Sequence, residues 1–501
     1  MDRHDFVQRW SESLERGSAS VFIGAGLSMQ AGYPSWKTLL KDIAKELDLD
    51  IDDEHDLAAV AQYSINRAVG KRNQIAAVIA REFPPKPDAP AAFRTLARLP
   101  LRHVWTTNYD TLAETAWRNE RKYLNVKSRN EDLGIDPPTA HAILYKMHGT
   151  VDHPTDVVIA KDDYELYRLS RPGFLQILNG HFVGKQILFV GFSFTDPNVA
   201  HLFGTIRESF RADGPEHYAI VRRPSLNGKG GKAKARFKTD TVRHRLWVDD
   251  LQRYGIRCVE IDEFAEVEAI LEEVETRLAR RSVFVSGSFP PDDMPARSSD
   301  RKLIEEVATG VGRLAVERKK RLVSGFGLVV GGAVVAGALG IAMMEDLPNF
   351  EKIILLRPFP LDAPPGLDPA TFAAQYRDGM LRQAGISVFI GGEKLNVSSG
   401  GTGFVTADGV LQEFEAATKL RHAIIPVGAT GGASREIWRQ VDAKFGMFWP
   451  DSARATFSRL NDTSLDAQQL VVAVASMIDS LDTAATTKAK VVRKTTRKKI
   501  A

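Results

Sequence analysis

Four short β-branched or aromatic runs in the first half of the chain each end on a small polar motif, and this constrains the fold most. Ser20-Val21-Phe22-Ile23 leads into Gly24-Ala25-Gly26-Leu27-Ser28. Leu101–Thr107 leads into Asn108-Tyr109-Asp110, and Ile143–Met147 into His148-Gly149. Gln186–Val190 leads into Gly191-Phe192-Ser193-Phe194-Thr195-Asp196. Such runs, alternating with amphipathic stretches like Trp36–Leu47, predict a parallel sheet with helices on both faces. Ligands of these sheets lie beyond the carboxyl ends of the strands. All four polar motifs fall there.

The pattern then stops and restarts. Arg222–Lys238, rich in Gly, Lys and Arg, reads as an exposed loop. A strand at Arg257–Ile261 and a charged helix over 263–280 close the first half. Ser282–Val285 then runs into Ser286-Gly287-Ser288, with further buried strands expected at Ile353–Leu356, Ile386–Ile390 and Ala423–Val427. A chain of 501 residues is too long for one ordinary core. The expectation is two Rossmann-like α/β domains with parallel sheets, at 1–281 and 282–482, and a basic, disordered tail at 483–501.

Composition removes several function classes. With 44% hydrophobic and 26% charged residues the chain is of soluble, globular type. Its single cysteine, Cys258, excludes an internal disulfide and a four-cysteine zinc site. Seven basic residues and no acid lie between Lys488 and Lys499; taking seven from the formal +4 leaves −3 for the body. The excess positive charge therefore belongs to the tail, and nucleic acid is not an expected partner. The uncharged stretch Leu322–Met344 has the length of a membrane span. Its six glycines, several at its start, favour instead a strand, a turn and a buried helix. The charged start Met1-Asp2-Arg3-His4-Asp5 carries no secretory signal, so a cytoplasmic protein without membrane contact is expected.

A strand entering Gly24-Ala25-Gly26 and a helix can hold a pyrophosphate on backbone N–H groups. A histidine suits proton transfer near neutral pH. In order and strand-end placement, Gly-Ala-Gly-x-Ser, Thr107-Asn108-Tyr109-Asp110, Lys146-Met147-His148-Gly149 and Gly191-Phe192-Ser193-Phe194-x-Asp196 resemble the sirtuin family over roughly residues 15–280. The resemblance implies NAD as substrate, bound by Gly24, Ala25, Gly26, Ser28, Asp110, Gly191, Ser193 and Asp196. It implies Asn108 as the residue placing the nucleophile and His148 as the general base. Sirtuin deacetylases carry a four-cysteine zinc module, which one cysteine cannot build, so no zinc is expected. Pro34-Ser35-Trp36-Lys37 also stands where those enzymes have Pro-Asp-Phe-Arg. Water is then the expected nucleophile and NAD glycohydrolysis, to nicotinamide and ADP-ribose, the expected reaction. An ADP-ribosyltransferase and a non-catalytic NAD or nucleotide sensor are the rivals.

In the second half, glycine-bearing turns at Ser286-Gly287-Ser288, Ser324-Gly325-Phe326-Gly327 and Pro426–Gly431 suit a ligand with several phosphates. Arg377 and Lys394 offer matching charge. With Gly409–Glu413, the set resembles the SLOG nucleotide-sensing domains. Related nucleoside phosphate hydrolases carry Pro-Gly-Gly-x-Gly-Thr-x-x-Glu. Here Thr406–Glu413 lacks the glycine pair and the threonine, which leaves binding rather than hydrolysis. The sirtuin-like and SLOG-like halves together resemble the NAD-cleaving effectors of the Thoeris antiphage system. That resemblance implies allosteric activation by a cyclic ADP-ribose isomer made by a TIR-domain partner, and a homotetramer. It implies signal binding by Ser288, Gly325, Gly327, Arg377, Lys394 and Glu413.

Overall fold

The structure is a computed structural model that describes residues 1–481, except 195, 197, 200–202, 205–214, 229, 291–296, 348, 361 and 397–402. The basic tail at 483–501 lies outside the described residues. The chain divides between Glu275 and Thr276 into two compact units.

The first unit is built on seven parallel strands: β1 (Ala19–Ile23), β2 (His103–Thr106), β3 (Leu124–Lys127), β4 (Ala142–Lys146), β5 (Gln186–Val190), β6 (His217–Arg222) and β7 (Ile256–Ile261). Their order is β3-β4-β2-β1-β5-β6-β7. β1 and β4 are buried along their whole length, as expected of strands covered on both faces. The chain grows from β1 to one side through β2 and returns at β5 on the other. That puts a topological switch point at the end of β1. Register does the rest. Ile23 pairs with Thr106 and with Val190, and Thr106 pairs with Lys146. The four polar motifs therefore begin at one level along the sheet edge.

The second unit has a five-stranded parallel sheet of β8 (Ser282–Ser288), β9 (Arg321–Ser324), β10 (Ile354–Leu356), β11 (Ile386–Gly391) and β14 (Ala423–Val427), in the order β10-β9-β8-β11-β14. A hairpin, β12 (Glu393–Leu395) with β13 (Phe404–Thr406), lies between β11 and β14 in the chain. The switch point falls between β8 and β11, where Gly287 pairs with Ile390 and Ser288 with Gly391.

The uncharged stretch is strand β9, a turn and the helix Val330–Met344. Fifteen residues span about 22 Å at 1.5 Å each, short of the ~30 Å of hydrocarbon. Among the described residues no helix is long and apolar enough to cross a membrane. The glycines serve helix–helix contact. A Cβ on Gly337 would sit 2.0 Å from Thr309 O, and one on Gly312 would sit 1.9 Å from Val334 O. The backbones of Ser298–Glu317 and Val330–Met344 meet there without side chains between them.

Four sequence expectations need correction. Arg222–Lys238 is not all loop, because a helix begins at Gly231 and runs to Leu251. Glycine and lysine density hid its period. Trp36–Leu47 is two short helices, Trp36–Leu39 and Lys41–Glu46, broken at Leu40 (φ −90°, ψ 0°). Ile353 belongs to a helical turn, and β10, at the sheet edge, is not buried. Strands β3 and β6 were not anticipated; β3 is four residues long with polar side chains at alternate positions, and β6, six residues long, opens on His217 and ends on Arg222.

Candidate active site

The turn after β1 and the turn after β5 are locked together. Gly24 N–H donates to Val190 O and Gly26 N–H to Gly191 O, both at 2.9 Å. A Cβ on Gly24 would lie 2.3 Å from Gly191 O, and one on Gly191 (φ +66°) would lie 2.4 Å from Leu27 N. These glycines are thus required by backbone approach at the switch point, whatever ligand lies above them. Ala25 and Ser193 are exposed, while Ser28 is buried.

Ser28 accepts from Asn108 Nδ2 at 2.9 Å. Asn108 N–H donates to Thr106 Oγ1, whose own hydroxyl donates to Ile23 O. The asparagine is thereby tied to the ends of β1 and β2, and its Oδ1 is buried without a hydrogen-bond partner among the described residues. Asp110 accepts from Leu112 N–H at 3.0 Å, at the start of the helix Leu112–Asn119. Its other oxygen, Oδ2, is likewise buried and unpartnered.

His148 is 3% exposed at the end of β4, edge-on to Tyr164 and Tyr167. Its Nε2 lies 3.2 Å from Asp196 Oδ2 but without hydrogen-bond alignment, so that nitrogen too is unpartnered. Burial holds the imidazole below its ordinary pKa, and the Asp196 carboxylate opposes the shift. Asp196 also accepts from the N–H groups of Asn198 and Val199.

Two residues of this neighbourhood escaped the sequence reading. Asn198 is buried with its Nδ2 unpartnered; the run Asp196-Pro197-Asn198 was the available signal. Lys146, which opens the Lys146–Gly149 motif but has no role assigned from sequence, is wholly buried with its ammonium on Tyr109 O, Asp110 O and Glu114 Oε1. The turn bearing Asn108 and Asp110 thus rests on a charge.

In the second unit Ser286 donates to Glu413 Oε2 at 2.5 Å. Burial raises the Glu413 pKa, against this hydrogen bond and the Arg377 charge. Arg377 stacks on Phe359, its guanidinium carbon 4.7 Å from the ring centroid. Its Nε is buried and unpartnered. A Cβ on Gly325 would meet Met380 Sδ at 3.4 Å and Glu413 Oε1 at 4.0 Å, so Ser286, Gly325, Arg377 and Glu413 form one group. Gly327 packs on Gly287 O. Ser288 donates to Glu393 O, and Lys394, half-exposed on β12, pairs with Asp408. Gly409, next to Asp408 in the chain, would bring a Cβ within 3.6 Å of Arg377 Nη2, and a Cβ on Gly327 would lie 3.9 Å from Ser288 Cβ.

Residues 102–245 match the SIR2-like domain family, and residues 266–481 match the Sir2- and TIR-associating SLOG family, STALD. The NAD(+) hydrolase ThsA of Bacillus cereus (strain MSX-D12) is 32% identical over 95% of this chain and 98% of its own length. The NAD(+) hydrolase ThsA of Enterococcus faecium is 35% identical over 96% of this chain and 99% of its own. Defense-associated sirtuin 2 of Bacillus subtilis is 29% identical over 40% of this chain and 20% of its own length. With a SIR2-like unit followed by a SLOG unit and near full-length similarity to these enzymes, the chain belongs to the ThsA family of NAD(+) hydrolases.

Proposed function

We propose that this ThsA-family member hydrolyses NAD to nicotinamide and ADP-ribose at the strand ends of its first unit, in antiphage defence. The supporting observation is the set of buried, unpartnered polar atoms there: Asn108 Oδ1, Asp110 Oδ2 and His148 Nε2. Buried polar groups are normally satisfied, so such a cluster suits a polar ligand. In the reaction the bond between ribose C1′ and the nicotinamide nitrogen breaks, and its electron pair leaves with nicotinamide. Asn108 positions a water whose oxygen bonds to C1′. His148 takes the proton from that water, and Asp196 stabilises the resulting imidazolium. The glycine turn at Gly24–Gly26, with Ser28, Gly191 and Ser193, accommodates the phosphates and ribose.

The depressed pKa of His148 has a kinetic consequence. The base is needed unprotonated, so the rate stays flat through neutrality and falls only below the ordinary histidine value of about 6.5. Asp196→Asn removes the opposing charge and shifts that acid limb to lower pH. A kcat profile across the acid range for both proteins checks it; a limb unmoved by the substitution counts against the pairing.

The second unit is proposed to sense a cyclic ADP-ribose isomer supplied by a TIR-domain protein. The family description Sir2- and TIR-associating supports this pairing. So does a cationic Arg377 whose Nε lacks a partner beside the buried Glu413. The working protein is proposed to be a cytoplasmic homotetramer, with the domains dividing at 281/282. Nicotinamide release, measured with and without a panel of cyclic ADP-ribose isomers, tests the whole reading. Label from NAD appearing on protein or nucleic acid would favour a transferase instead. Arg377→Ala is expected to raise the signal concentration for half-activation about ten- to hundredfold, the worth of a charge-assisted hydrogen bond. Basal cleavage stays unchanged. An unaltered titration curve removes Arg377 from the site.

A further inference from the structure

The helix Gly231–Leu251 is laid on the first unit by a narrow inner face. Of its 21 residues only Leu251 is buried. Phe237, His244 and Trp247 are partly covered, with Trp247 against Phe194. At 100° per residue, the opposite face carries Ala235, Thr239, Val242 and Leu246, spaced four, three and four residues apart. Val242 is 42% and Leu246 58% exposed. The Thr239 hydroxyl donates to Ala235 O within its own helix, which leaves its methyl to the seam. This is the spacing of a helix-pairing seam.

Two basic rows flank it. Lys232, Arg236 and Arg243 fall on one side, and Lys234, Lys238 and Arg245 on the other; all six are exposed. Among the described residues only Arg236 has an anionic partner in this set, Asp240 at 3.8 Å. The arrangement is locally unfavourable. Lys232 with Arg236 and Lys234 with Lys238 are like charges four residues apart. Four cations also crowd the first two turns, where the helix dipole is already positive. Local rules are broken in this way where a partner compensates.

We propose that this face docks an acidic amphipathic helix of a partner protein, whose apolar residues meet the Ala235–Leu246 seam while its carboxylates meet the two basic rows. A second copy of the same face would oppose cation to cation along most of the two rows, with relief confined to the ends, where Asp249 and Asp250 could meet Lys232 and Lys234 of an antiparallel copy. Nucleic acid or an anionic membrane would use the charges and leave the four-three-four apolar spacing without a role.

The test uses the full chain and a labelled synthetic peptide of about 20 residues, with leucines at matching seam positions and glutamates beside them. The other probes are a peptide of identical composition with the seam scrambled, a short DNA duplex, and phosphatidylserine–phosphatidylcholine vesicles. Anisotropy at physiological salt is expected to show the seam peptide binding at least about tenfold tighter than the scrambled one. K234E/K238E and V242D/L246D are each expected to weaken it by a similar factor, with melting temperature and NAD cleavage unchanged as controls for folding. Equal binding of the scrambled peptide, tighter binding of DNA or vesicles, no binding, or a change of oligomeric state in V242D/L246D would each overturn the proposal.

Discussion

His148→Ala is expected to lower NAD cleavage by about 10²–10⁴-fold, the usual contribution of a positioned general base. The imidazole has no exposed role to lose, being 3% exposed and enclosed by Tyr164 and Tyr167. Among the described residues it forms an ion pair with Asp196, 3.2 Å from Nε2, and also feels the charges of Arg171 and Asp163. The loss should appear in kcat rather than KM, because a base acts on the attacking water and not on bound NAD. Nicotinamide release under saturating NAD, with a thermal melt to show that the fold persists, is the measurement. His148→Gln controls for the cavity. A variant within a few-fold of the parent would remove His148 from the chemistry and favour a purely positional mechanism through Asn108.

Most of the site's frame was legible because parallel register does the positioning. Once the runs at β1, β2, β4 and β5 are read as strands, Gly24, Asn108, His148 and Gly191 must follow at one edge. The second unit was legible only in part: the turn at Gly325 does follow β9, but Ser286-Gly287-Ser288, expected as a turn, is the last part of strand β8 and pairs with β11. Glycines that face a ligand and glycines that face another turn look alike in a sequence. Gly24 and Gly191 show the difference, because each lacks room for a side chain on account of the backbone of the opposite turn, Gly191 O for Gly24 and Leu27 N for Gly191. Lys146 is equally silent, since alternation alone makes it an ordinary strand residue. The basic helix from Gly231 was lost for a third reason: the glycine and lysine density around its start reads as loop, and its apolar residues lie on two opposite faces, which erases the single stripe that would have corrected it.

Lys146 carries the second large effect. Its ammonium is wholly buried, 2.8 Å from Glu114 Oε1 and 3.3 Å from Tyr109 O, with Asp110 O as a third acceptor. Removing one member of a buried ion pair strands the other, at a cost of about 3–5 kcal/mol. Lys146→Met should therefore lower the melting temperature of the first unit by about 10 °C, given some 2–4 °C per kcal/mol at this size. Glu114→Gln in the same chain removes the stranded charge and should recover much of that loss. Activity should not recover with it. The Tyr109 and Asp110 carbonyls still lack their donor in the double variant, so the turn that aims Asn108 stays loose and kcat remains low. Thermal melts and kcat on both variants separate the two consequences. If kcat returns together with stability, Lys146 serves only to neutralise Glu114, and the turn holds its shape without it.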